Sequence, residues 1–157
     1  MTSFDEYVRA SSTRLYRTAF LLVGERGAAE DLVQEVLERM YVGWKRIEDP
    51  EAYARRALVT RATNRWRLRR RRPEVPLADR HDRAVWDRSL TVQQDVVSAL
   101  AQLPAGQRAV VVLRYFNDLS VEQTATSLGC STGTVKSQTA RALPRLRELL
   151  THLVDQE

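Results

Sequence analysis

Between Leu119 and Arg147 the chain carries a polar, basic set of residues at helical spacing. Gly133, Lys136, Ser137, Ala140 and Arg141 fall at i, i+3, i+4, i+7 and i+8, so they share one side of a helix. Lys136, Ser137 and Arg141 offer hydrogen-bond donors, with Thr134 beside them at the helix start, and the small residues between let the helix approach another surface closely. Such a face suits the major groove of duplex DNA, where phosphates and base edges accept hydrogen bonds. No acid occurs from Gln123 to Arg147, so nothing in the segment repels phosphate. An ordinary helical hairpin with a solvated charged face would carry the same pattern.

Two further clusters could do chemistry. From Ala52 to Pro73 there are nine arginines and no acid: Arg55, Arg56, Arg61, Arg65, Arg67 and the run Arg69 to Arg72. A helix so basic repels itself unless a polyanion is near, which makes a phosphate backbone its natural partner, with a frayed solvated end or a membrane-surface patch as alternatives. Trp44, Tyr53 and Trp66 interleave with this charge. Rings beside arginines suit unstacked bases, although aromatics at helical spacing serve equally as core. The other cluster is acidic: Asp31, Gln34, Glu35 and Glu38 line one side of a helix. Asp31 and Glu35 lie one turn apart, as a metal-dependent nuclease would need, but they are expected to face away from the arginines. No histidine supports them, since His81 and His152 each stand alone. No catalytic residue, metal or cofactor is therefore expected.

The elements that must position these residues read as helices throughout, and the fold class is all-α. Phe4, Val8, Leu15, Ala19 and Leu22 mark a first helix closed by Gly24. A second, from about Ala28 to Tyr41, has Ala29, Leu32, Val33, Val36 and Met40 as its apolar stripe. Pro50 opens a third, which should end near Arg72 before Pro73. Residues 73–90 hold two of the five prolines and few apolar positions. They read as a flexible linker able to span roughly 60 Å at about 3.3 Å per residue. Helices over Val92 to Leu103 and Pro104 to Phe116 then lead into the helix-turn-helix. There Ser120 caps the first helix and Val121, Ala125 and Leu128 face inward. Gly129 ends it, Ser131 or Thr132 caps the second helix, and Val135, Thr139, Ala142, Leu146 and Leu150 form the inner stripe. The chain thus divides into two small helical domains, 1–72 and 91–157, around the linker.

Across 157 residues the 25 basic side chains exceed the 20 acids, and the excess sits in residues 1–72, with 16 against 10. That balance favours nucleic acid as a partner. The single cysteine, Cys130, excludes an intrachain disulfide and a multi-cysteine metal site. No run approaches the length of a membrane span and the N-terminus lacks an apolar signal core, so membrane insertion is not expected and a reducing cytoplasm is.

In combination these motifs carry a resemblance. The segment AAEDLVQEVLERMY, followed by an aromatic turn and an arginine helix, resembles domain two of bacterial RNA polymerase sigma factors, and GTVKSQTARALPRLR resembles the recognition helix of their domain four. With two domains only, the chain resembles an extracytoplasmic-function sigma factor of actinobacterial type. The resemblance implies a promoter-specificity subunit that binds core RNA polymerase and promoter DNA and assists melting. Asp31, Gln34, Glu35 and Glu38 would dock on a coiled coil of the largest core subunit. Trp44, Arg55, Arg56, Arg61, Asn64 and Arg65 would bind the minus-ten element. Thr134, Lys136, Ser137 and Arg141 would read the minus-thirty-five element. Leu103, Val112 and Leu119 would belong to the core, partly shared with the flap of the second-largest subunit, and an anti-sigma factor joins the candidate partners. Thr60 and Asn64 stand where many relatives carry Asn and Asp, Gln138 replaces a frequent Arg, and Pro144 is expected to kink the recognition helix or end its regular bonding. A helix-turn-helix regulator acting apart from polymerase is the alternative reading.

Overall fold

Ser3 starts the first helix, its hydroxyl accepting from the Glu6 N–H at 3.2 Å, and Gly24 ends it in the left-handed region at φ 77°. In the computed structural model, described over residues 2–71 and 91–155 with side chains over 2–65 and 94–152, this helix is α1 (Phe4–Val23). It is followed by α2 (Arg26–Val42), a short 3-10 turn (Trp44–Arg46) and α3 (Pro50–Arg71). Then come α4 (Thr91–Ala101), α5 (Ala105–Val111), α6 (Val121–Leu128) and α7 (Thr132–Asp155). No strand occurs among the described residues, as expected. The expected linker, 73–90, lies outside them, as do the side chains of Trp66 and the arginines beyond Arg65.

The first three helices pack on one another because each carries one apolar face. Tyr7, Leu15, Ala19 and Leu22 from α1 meet Leu32, Val36 and Met40 from α2 and Ala54, Leu58 and Ala62 from α3. Tyr7 reaches the start of α3, its hydroxyl donating to the Pro50 carbonyl at 3.5 Å, and burial pushes its pKa up to about 12. Glu51 at the head of α3 accepts from Ser11 and pairs with Arg14, fastening α1 to α3 a second time.

The second unit departs from a plain helix at one place. The expected span Pro104 to Phe116 begins as α5, with Pro104 as its N-cap, and widens into a π-type turn over Val112–Phe116. There the Asn117 N–H bonds the Val112 carbonyl five residues back, at 3.1 Å. In the helix-turn-helix, Ser120 and Gln123 form a reciprocal capping box on α6, and Gly129 closes it at φ 67°. Ser131, rather than Thr132, caps α7 by accepting from the Thr134 N–H at 3.1 Å. Helix α7 runs unbroken through Pro144. Proline can make no bond to the Ala140 carbonyl, but both residues are exposed, so water can satisfy the group that is left over.

The two helical units pack directly, α1 against α4 and α3 against α5 and α6, and share one apolar core. No helix among the described residues is long and apolar enough to cross a membrane.

Gly129 isolates the energetics of the turn, because a Cβ built there meets nothing within 4 Å. Gly129→Ala should therefore lose only the conformational preference of glycine, about 1 kcal/mol, seen as a lower denaturant midpoint at unchanged slope.

Candidate nucleic-acid and partner interfaces

The phase of α7 is set by what it buries. Val135 and Ala142 are fully enclosed and Leu149 nearly so, which turns Gly133, Thr134, Lys136, Ser137, Ala140 and Arg141 to solvent on the opposite side. Every residue expected to meet duplex DNA is thus exposed and gathered on one face. Gln138 is not part of it: its side chain lies over Gly106 at the start of α5, where a Cβ would stand 3.1 Å from its Nε2.

Helix α3 sorts its polar residues into two faces that sequence did not separate. Arg56, Thr60 and Asn64, at i, i+4 and i+8, are exposed, and Tyr53 heads the same stripe with its ring 38% exposed. Arg61 and Arg65 turn the other way, onto α2. The Glu35 carboxylate accepts from Arg61 Nη1 at 2.8 Å and from Arg65 Nη2 at 3.1 Å, and Arg65 also donates to the Ala28 carbonyl at 3.1 Å. The expectation that the acids face away from the arginines therefore fails at Glu35. Burial alone would raise the pKa of this carboxyl; the hydrogen bonds and charges of Arg65 and Arg61 outweigh it and hold the group below its ordinary value. Asp31, Gln34 and Glu38 remain exposed on α2.

Trp44 and Arg55 stand apart from the outward stripe of α3. The Trp44 ring is half-buried, 5.5 Å from Phe4 and 5.3 Å from Tyr7 between centroids, so it closes the core at the mouth of α3. Arg55 is half-buried with its Nε enclosed and unbonded.

Several exposed apolar residues went unnoticed in the sequence. Tyr41 and Val42, at the end of α2, are 67% and 87% exposed and border a groove with Phe4, Val8, Gln34, Leu37 and Glu38. Their sign was legible: they continue α2 beyond its inner stripe, where an amphipathic helix would carry polar residues. Tyr115 and Phe116 are exposed on the π-type turn. Leu103, Val112 and Leu119, by contrast, are buried, because the neighbouring helices close over them.

Comparison with known proteins matches these two units separately. Residues 7–72 fit the family Sigma-70 region 2 and residues 93–146 fit Sigma-70, region 4. The RNA polymerase sigma-E factor of Streptomyces coelicolor is 43% identical, over 94% of this chain and 85% of that protein. The ECF RNA polymerase sigma factor SigM of Mycobacterium tuberculosis is 32% identical, over 96% and 79%. Among solved structures, the sigma factor RpoE of Bartonella quintana, in complex with the anti-sigma factor NepR, superposes with a TM-score of 0.72 at 29% identity, covering 94% of this chain and 96% of that one. CnrH, solved with the cytosolic domain of CnrY, shares the fold at a TM-score of 0.66 and 21% identity.

The lowered pKa of Glu35 fixes the sign of a pH effect. Its charge stabilises the fold fully above the unfolded carboxyl value, near 4.3, and the contribution disappears as pH falls through the lower folded value. Glu35→Gln should accordingly be less stable than the parent at neutral pH, by about 1 kcal/mol or less for a half-exposed pair, with the gap closing below about pH 4. Urea unfolding across that range measures it; a gap that persists into strong acid would contradict the pairing.

Proposed function

The chain belongs to the extracytoplasmic-function family of RNA polymerase sigma factors, which direct the polymerase's transcription, and we propose that its two units divide that task between duplex and opened DNA. The exposed face of α7, with Thr134, Lys136, Ser137 and Arg141, reads the minus-thirty-five element in the major groove. The observation that carries this is the phase of that helix, which buries Val135 and Ala142 and turns all four residues outward.

The minus-ten element falls to α3. Its outward stripe of Tyr53, Arg56, Thr60 and Asn64 offers a ring, a cation and two hydrogen-bonding groups in line, the chemistry an unstacked strand needs. Arg61 and Arg65 act from behind this stripe while paired with Glu35, Arg55 supports its base, and Trp44 holds the turn against α1. Opening ten or so base pairs costs roughly 14 kcal/mol at a mean near 1.4 per step, more than two small helical units can supply. The chain therefore captures strands that the clamped polymerase lets open, holding an extruded base while its cations retain the displaced backbone.

Core polymerase docks on α2. Asp31, Gln34 and Glu38 supply acids and an amide for a basic coiled coil of the largest subunit, and the groove lined by Leu37, Tyr41 and Val42 supplies apolar area beside them. The flap of the second-largest subunit meets Tyr115 and Phe116 rather than the enclosed Leu103, Val112 and Leu119. An anti-sigma factor fits the same surfaces, a proposal supported by the complex with the anti-sigma factor NepR in which one structural relative was solved. No catalytic step is assigned to the chain, and its place of action is the cytoplasm. A helix-turn-helix regulator working apart from polymerase is not favoured, because both sigma regions match.

Arg141→Ala should weaken promoter binding by the reconstituted polymerase about ten- to one-hundred-fold, as loss of one base-reading contact does, and leave co-purification with core unchanged. Gln34→Ala with Glu38→Ala should do the reverse. Equal losses in both assays from either change would contradict the division of labour.

A further inference from the structure

The turn between α6 and α7 opens on a cleft of about 900 Å³ whose other walls are α3 and the start of α5. That volume lies within the range of pockets that enclose small molecules, about 300 to 1,000 Å³. Although α3 and α7 are both basic helices, no charged side chain among the described residues lines the cleft. Its polar groups include the hydroxyls of Thr60, Ser127 and Thr134 and the amides of Asn64 and Gln138, set over an apolar floor. Such a lining suits an uncharged molecule that both donates and accepts hydrogen bonds.

One of these groups is left open in the folded chain. Ser127 is 8% exposed and lines the cleft, yet its hydroxyl bonds no group among the described residues. Its neighbours on α6 are satisfied: Thr124 donates to the Ser120 carbonyl at 2.8 Å and Thr126 to the Glu122 carbonyl at 3.0 Å. A buried hydroxyl without a partner is costly, and a polar group lodged in the cleft would remove that cost. Cys130, partly exposed, lines the same cleft. Its N–H bonds the Ala125 carbonyl at 3.1 Å, so the end of α6 fixes where its backbone stands. It is the only cysteine in the chain, so a mixed disulfide formed on it cannot be displaced by a second thiol of the same chain.

We propose that Cys130 is a modification site: its thiol exchanges with a low-molecular-weight disulfide whose arms are uncharged and hydrogen-bonding, one arm stays in the cleft against Ser127, and reading of the minus-thirty-five element is switched off. The inference rests on the assignment of α7 to that element. In the exchange the thiol gives its proton to solvent and the thiolate attacks one sulfur of the disulfide. The new Sγ–S bond forms as the old S–S bond breaks, and the other half leaves as a thiolate that takes up a proton from water. Thr134 both lines the cleft and belongs to the exposed face of α7, so the retained arm stands where the start of the recognition helix meets DNA. A free thiol reverses the step by the same exchange run backwards.

The full chain is incubated with the disulfide of N-acetylcysteine amide, whose arms are uncharged, at about pH 8, where an ordinary thiol is partly ionised. Mass spectrometry should find one arm on Cys130, and promoter binding with core polymerase should fall at least about ten-fold and return when dithiothreitol is added. No adduct, or undiminished binding by chain shown by mass to carry one, would overturn the proposal and leave the promoter assignment standing. Failure of the untreated chain to bind a promoter with core would overturn the assignment and the proposal with it. Cys130→Ser should bind as the parent does and ignore the reagent; a loss on treatment in that variant would place the effect elsewhere and count against Cys130. Ser127→Ala tests the cleft itself: its exchange equilibrium with the reagent should lie about two- to ten-fold further from the adduct than the parent's, as loss of one hydrogen bond requires. An unchanged equilibrium would contradict seating of the arm against Ser127.

Discussion

A guanidinium can be buried only where acceptors surround it, because its charge persists at any physiological pH and each N–H left unmet is costly. Arg108 meets that constraint with backbone carbonyls at the ends of helices. The last turns of α1 and α4 each end in carbonyls lacking an intrahelical partner, and the negative ends of both helix dipoles point at the cation. Burial pulls its pKa down to about 10, which still leaves it charged at neutral pH. The arrangement ties the end of α1 and the end of α4 to α5, and together with the shared apolar core it sets how the two units face each other.

A second ion set does for α3 what Arg108 does for the interface. Glu35 holds Arg61 and Arg65 against α2, in keeping with the rotation of α3 that burial of Ala54, Leu58 and Ala62 sets. Once the rotation is fixed, Arg56, Thr60 and Asn64 must face out. A tract that looks uniformly basic in sequence is therefore two functional faces: one that neutralises an acid within the fold and one that presents a graded polar stripe.

What could be read in advance was what is local. The Ser120 cap of α6, the closing glycines at 24 and 129, and the outward set on α7 depend on residues within a turn or two of each other, and they were legible as written. The pairing that draws Arg61 and Arg65 onto α2 was not, because it depends on Glu35, 26 residues from Arg61. Nor was the packing of the two units: Arg108 lies in GQRAVVVL as a lone cation before an apolar run, a hint of burial, but its Leu22 partner is 86 residues away and is a backbone atom with no sequence signature. Pro144 does not end α7, for a related reason. Its effect depends on whether the carbonyl it abandons is wet, which composition does not reveal.

The central claim is a grip at two points held at fixed spacing by one chain, and DNA geometry tests it most directly. On a promoter selected from genomic fragments by initiation with core polymerase and this chain, inserting five base pairs between the two elements turns one about half a helical turn from the other. The account predicts that initiation collapses with that insertion while each element, left intact, is still required. Initiation that continued undiminished at the altered spacing would contradict it.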